Sequence, residues 1–178
     1  MLSRRVKIFA CIALILSCFC PGACYAAGFN GNWRVTFDCP KEDDRCANGV
    51  ADSFILYSVT QNDGHICATH SITWLLTNRV DEGYVICGEL VTLYGTVRKN
   101  TAVVYFGSSW TKTIGKARLT YNPHDDTLTW TLIAAPGKGA DGCPECSNGA
   151  WWYPNKVVLK RDHRYQYKAF NCRNCTVR

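Results

Sequence analysis

The chain has 178 residues, 47% of them hydrophobic and 19% charged, with a formal net charge of +6. A chain of this length makes one domain with room for a single core. Arg4, Arg5 and Lys7 supply three of the positive charges, so the rest of the chain carries 6 − 3 = +3, too little to argue for nucleic acid as a partner.

Residues 1–27 come first: a basic start, an apolar run over residues 8–20, and small residues ending in Ala26-Ala27. This is the pattern of a secretory signal peptide, and the run is too short to span a bilayer. Cleavage after Ala26 or Ala27 is expected, leaving 28–178 as one secreted or periplasmic domain with no stable membrane insertion. The competing expectation is a lipid anchor at Cys18, which follows Ser17 and has Ile15 three residues back in a loose likeness to a lipoprotein cleavage site. The leader contains Cys11, Cys18, Cys20 and Cys24. Of the 12 cysteines this leaves Cys39, Cys46, Cys67, Cys87, Cys143, Cys146, Cys172 and Cys175, an even set that reads as disulfides in an oxidising compartment.

Short β-branched and aromatic runs follow at 33–38, 53–60, 65–74, 83–90, 91–98, 101–108, 114–122, 127–134 and 155–161, each predicted as a strand. Asn62-Asp63-Gly64, Arg98-Lys99-Asn100 and residues 122–126 are turn-rich, so neighbouring strands are expected to be antiparallel hairpins. No apolar stretch keeps helical spacing. The predicted fold is an all-β, up-and-down meander closed into a disulfide-stapled barrel, which removes exposed edges; a two-layer sandwich is the alternative.

Between the strands lie the segments that could carry function. Cys39 and Cys46 bracket an acidic loop, in which Glu42, Asp43 and Asp44 either face a basic partner or form a solvated turn. Cys39 is expected to pair with Cys46, and Cys67 with Cys87; the remaining four pair within or between Cys143-x2-Cys146 and Cys172-x2-Cys175. Those two C-x2-C units would suggest four-thiolate zinc in a reducing compartment, but export favours disulfides. Residues 135–154 make a long glycine-containing loop, read as a stapled connector, a lid or a partner contact. Within it Trp151 and Trp152 are adjacent, so in a strand they would face opposite sides and one would lie outside the core. The tail, 162–178, interleaves basic residues with Tyr165, Tyr167 and Phe170, a mixture that can bind an anionic polymer, while the alternation of Tyr165 and Tyr167 reads as a last strand; Asn174-Cys175-Thr176 matches a glycosylation acceptor.

A catalytic site is hard to assemble from these residues. His65, His70, His124 and His163 are scattered, and no serine stands in a Gly-x-Ser-x-Gly elbow. The expectation is a non-enzymatic protein without cofactor or metal.

Gly31-Asn32-Trp33, Ile86-x-Gly88, Gly95-Thr96-Val97, Ala102 to Phe106, Gly115 to Leu119 and Leu128 to Leu132 together resemble, in order and spacing, the strands of avidin- and lipocalin-like eight-stranded barrels. The resemblance covers about two thirds of 28–178 and implies an aromatic-lined pocket for a small molecule, with Tyr105 and Trp130 inside and Trp152 at the rim. Residues that grip the ureido group of biotin in avidins have no clear match here. Two functions are therefore expected. The first is capture of a small, flat or amphipathic ligand in the barrel. The second is a periplasmic inhibitor or immunity protein that blocks a hydrolase through Glu42, Asp43, Asp44 and Trp151 in its stapled loops. A carrier should have a cavity, and an inhibitor a filled barrel with a projecting loop. Oligomeric state is left open.

Overall fold

Each hairpin in the sheet begins from local chain chemistry. At Asn62-Asp63-Gly64-His65 the two central residues have φ of 48° and 78°, the left-handed pair that matches the twist of the flanking strands. Between Arg98 and Thr101 the chain turns with a single left-handed residue, Lys99, whose φ is 55°. The computed structural model describes residues 28–38, 52–74, 79–88, 90–137, 153–173 and 175. Nine strands occur among them: β1 (Gly31–Thr36), β2 (Ser53–Asn62), β3 (His65–Trp74), β4 (Arg79–Asp81), β5 (Leu93–Arg98), β6 (Thr101–Gly107), β7 (Ile114–Asn122), β8 (Thr127–Ala134) and β9 (Lys156–Arg161). Among the described residues no helix is long and apolar enough to cross a membrane.

Every pairing is antiparallel, in the order β2-β1-β9-β8-β7-β6-β5-β3-β4, and β2 also pairs with β3. That last pairing closes an eight-stranded barrel from all strands except β4. β4 is short and extends the ring beside the end of β3, where Ile72, Thr73 and Trp74 pair with Asp81, Val80 and Arg79. The expected strand at 83–90 does not form. Instead β4 lies earlier, and residues 82–88 and 90–92 leave the sheet in an excursion held by isolated bridges from Tyr84 to Gly107 and from Cys87 to Val91. Gly83 allows the departure: its φ is +84°, and a Cβ there would stand 2.8 Å from His70 and 2.7 Å from Thr92.

Alternation along the strands builds the interior. Ile66, Ala68 and Ile72 of β3, Ala102, Val104 and Phe106 of β6, Ala117, Leu119 and Tyr121 of β7, and Leu128 and Trp130 of β8 all join one buried cluster. In β2 the pattern skips at Ser58, whose φ of 51° marks a bulge, so that Phe54, Leu56 and Val59 all belong to the same core. Space inside is tight enough that a Cβ at Gly115 would collide with the Phe106 ring.

The tail does not form the expected last strand at Tyr165 and Tyr167. It crosses the outside of β2 and β3, tied to the bulge: Asn32 donates through Nδ2 to the Tyr165 carbonyl (2.8 Å) and accepts from the Ser58 N–H (2.6 Å). The Lys168 N–H donates to Ser58 Oγ, and the Phe170 N–H to Thr60 Oγ1, each at 3.0 Å. Two disulfides then fasten it, Cys67 to Cys172 and Cys87 to Cys175, with Cα separations of 5.6 and 5.2 Å. These correct the expected Cys67–Cys87 pairing and the pairing of Cys172 and Cys175 within the C-x2-C units, and they exclude a zinc site shared by Cys172 and Cys175. Cys67 sits at an outward position of β3, so its partner has to come from a segment lying over the sheet. With Ile86, Val91 and Tyr94 the four cysteines form a second buried cluster on the outer surface. Loops of 105 and 88 residues are closed, each constraint taken alone worth about 4.7 kcal/mol in chain-entropy terms. Cys39, Cys46, Cys143 and Cys146 lie outside the described residues.

Candidate functional site

The barrel interior is the place the sequence points to, and large side chains occupy it. Trp130 is fully buried at 0% exposure, as its inward register on β8 requires. Its ring meets Phe54 at 4.8 Å and Phe106 at 5.0 Å between centroids, and Phe106 meets Tyr153 at 4.6 Å. These edge-on and tilted contacts are the arrangement aromatic quadrupoles favour. The Trp130 indole N–H is also satisfied, donating to the Pro154 carbonyl at 3.0 Å.

Tyr105 is not part of this cluster. It faces outward, 38% exposed, with the Lys116 ammonium 5.3 Å from its ring centroid. The expectation of an inward Tyr105 fails because β6 is apolar on both faces. Phe106, next in sequence, takes the interior position, and Tyr105 lies opposite Lys116 on β7. Trp152, Trp151, Glu42, Asp43 and Asp44 lie outside the described residues.

The interior aromatic cluster ends, toward β4, in a buried polar network. Asp81 is 1% exposed and Ser108 0%. Ser108 Oγ donates to Asp81 Oδ2 at 2.6 Å; the Ser109 N–H and Oγ each reach Oδ1 at 2.8 Å, and the Gly83 N–H reaches it at 2.9 Å. Burial pushes the Asp81 carboxyl up, but these donors outweigh it and hold the group below the usual 3.8. Tyr153 also hydrogen-bonds Asp81, and burial, reinforced by this carboxylate, raises the phenol well above 10.

His70 lies beside this group, 1% exposed, with Nε2 3.0 Å from the Tyr153 hydroxyl and Nδ1 2.8 Å from Thr92 Oγ1. The proton order follows from the acceptor at the end of the chain. An ionised Asp81 only accepts, so Tyr153 gives it the phenolic proton and receives the His70 Nε2–H, while Nδ1 accepts from Thr92. This assignment makes His70 neutral. Burial lowers its pKa to about 4, against a smaller opposing pull from Asp81.

The opposite end of the barrel is closed differently. Arg161, at the end of β9, lies 4.1 Å above the Trp33 ring. Its guanidinium donates to Asp126 through Nε and Nη2, both at 2.7 Å, and to the carbonyls of Asn30 and Gly28. The Trp33 indole N–H donates to the Phe29 carbonyl at 2.7 Å, which draws the segment before β1 across the opening. Hydrogen bonding from Arg161 holds the Asp126 carboxyl below its ordinary value.

Sequence reasoning missed both closures. One signal was available: His70 occupies an inward position between Ala68 and Ile72, where a polar ring requires buried partners. Asp81, Tyr153 and Arg161 reach their partners only through distant strands. In the Asp81 network the serine donates to the carboxylate, not to the histidine, and each titratable group is occupied by a neighbour. Comparison with family models, with characterised proteins and with solved structures finds no match.

Proposed function

We propose that this chain is a secreted or periplasmic, non-enzymatic binding protein that engages a macromolecular partner with its outer surface, its barrel serving as the scaffold. The carrying observation is the occupied interior: Trp130, Phe54, Phe106 and Tyr153 are in ring contact along it, leaving the aromatic groups engaged with one another. Of the two expected functions, this favours the one that works from outside the barrel over small-molecule capture. The stapled tail supports the same reading, because a surface ordered before contact loses less entropy on binding. The two disulfides fit an oxidising compartment. Kinship with avidins and lipocalins belongs to the same proposal and rests on the eight-stranded meander.

The test is titration of the native protein with anilinonaphthalene sulfonate and with a fatty acid, followed by tryptophan fluorescence. No saturable quenching is expected for the wild type, whereas Trp130→Ala should open a cavity that accepts the probe. One-to-one binding to the native protein with quenching of its buried tryptophans would restore the carrier reading and overturn this one.

A further inference from the structure

The outer face of β5 to β9 and β1 has a charge pattern that composition conceals. Their outward positions carry Arg98, Lys116, Arg118, Lys156, Lys160 and Arg34, and no acidic residue stands at an outward position of these strands. Strand register sets these groups side by side. Arg118 pairs across to Thr131, which pairs to Lys156; Lys160 lies directly opposite Arg34. Neighbouring strands are about 5 Å apart, and alternate residues on one strand about 7 Å, so the cations form a lattice over the curved sheet. Among the described residues Arg98, Lys116, Arg118, Lys156 and Lys160 make no ion pair with a carboxylate.

A groove of about 430 Å³ deepens this face between Arg34, Thr36, Val158, Lys160 and Arg164, with Asp162 also lining it. Asp162 is held by Arg164, which donates to it from Nε at 2.9 Å and Nη2 at 2.7 Å. Among the described residues these cations outnumber the one carboxylate at the groove, Asp162, which Arg164 already pairs, and such an excess raises the local concentration of anions. On that ground, and as a deepening of the outer-surface reading on which it rests, we propose that this face binds an acidic polysaccharide.

Three features favour that occupant. Thr96, Thr101, Thr120, Thr129 and Thr131 stand among the cations, and hydroxyls that both donate and accept suit a polymer rich in hydroxyl groups. Protein interfaces are depleted in lysine and enriched in aromatic residues, the reverse of a face with Lys116, Lys156 and Lys160. A single-stranded nucleic acid needs a series of stacking platforms; Tyr105 is one exposed ring, enough to lie against a sugar. The cations supply ionic contacts to carboxylate or sulfate groups recurring along the chain, and Arg34 and Arg118 can make them bidentate.

The test uses the full, disulfide-bonded chain, with heparin and polygalacturonate as probes and neutral dextran, a single-stranded oligonucleotide of matched charge and anionic phospholipid vesicles as comparisons. Titration calorimetry at low and physiological salt should show saturable binding of an acidic polysaccharide that weakens steeply with salt. Arg118→Glu combined with Lys156→Glu should reduce the affinity about 10-fold or more, while Lys168→Glu, on the tail away from this face, should leave it unchanged. Equal affinity in the double variant and the wild type would overturn the site. Tighter binding of the oligonucleotide or the vesicles would overturn the polysaccharide assignment. If no polysaccharide binds and the apolar probe also stays out, only this partner is lost. If the probe enters the barrel, the outer-surface reading itself is lost.

Discussion

The two ends of the barrel face one problem, how to close a ring of eight strands, and use opposite electrostatics. At the Trp33 end a full ion pair lies at the rim: the Asp126 side chain is 49% exposed and that of Arg161 10%. At the Asp81 end the network is sealed, so the histidine is kept neutral and the one carboxylate is surrounded by donors. The difference follows from the cost of desolvation. A pair that shares water keeps part of its hydration, while a buried charge must find all of its compensation in the protein. The Trp33 end should therefore respond to salt and tolerate substitution, and the Asp81 end should respond to pH and tolerate little.

The largest effect is expected from Asp81→Ala. It leaves the buried donors of Ser108 and Tyr153, and the half-buried ones of Ser109 and Gly83, without an acceptor, and should reduce stability by about 3–5 kcal/mol. Urea denaturation at neutral pH measures this. A loss under about 1 kcal/mol would show that water takes over the acceptor role and that the end is not sealed.

Acid should separate the ends next. His70 titrates at about 4 in the folded chain against an ordinary 6.5, so between those values the unfolded chain binds a proton that the folded one refuses. Stability contributed by the neutral ring is complete above 6.5 and falls as pH is lowered toward 4, by about 3 kcal/mol in all. Below the ordinary 3.8 of Asp81, protonation of its stabilised carboxylate removes more in the same direction. Denaturation midpoints across this range measure the fall, and His70→Gln should flatten the upper part of it. A wild-type profile flat from 6.5 to 4 would mean that His70 takes up its proton inside the fold.

At the other end Arg161→Met keeps length and apolar contact but removes the charge over Trp33 and its hydrogen bonds, for an expected loss of about 2 kcal/mol. A changed near-ultraviolet signal of Trp33 should accompany it. The smallest effect belongs to Asp126→Asn, about 0.5–1 kcal/mol and shrinking with added salt. Salt-insensitive destabilisation there would place the pair deeper than the rim and weaken the contrast between the ends.

Strand-by-strand legibility followed from where each signal resides. Most of the barrel strands lie within two residues of their predicted bounds, because period-two alternation and left-handed turns are properties of a few consecutive residues. The run at 83–90 misled, since Tyr84, Val85 and Ile86 have strand composition while Gly83 and the Cys87 disulfide draw that segment off the sheet. Tyr105 misled for a related reason: a strand apolar on both faces does not declare its inward side until its neighbours are known.

Residue pattern alone specified an all-β meander, its hairpins, its closure, and cysteines suited to oxidation, since these depend on local conformational preference and on counting. That Cys67 meets Cys172 and Cys87 meets Cys175, that His70, Tyr153 and Asp81 share one proton chain, that Arg161 rests on Trp33, and that scattered basic residues become one face is legible in the fold alone. Those contacts join positions remote in the chain, and it is the shear and closure of the ring that bring their side chains within reach.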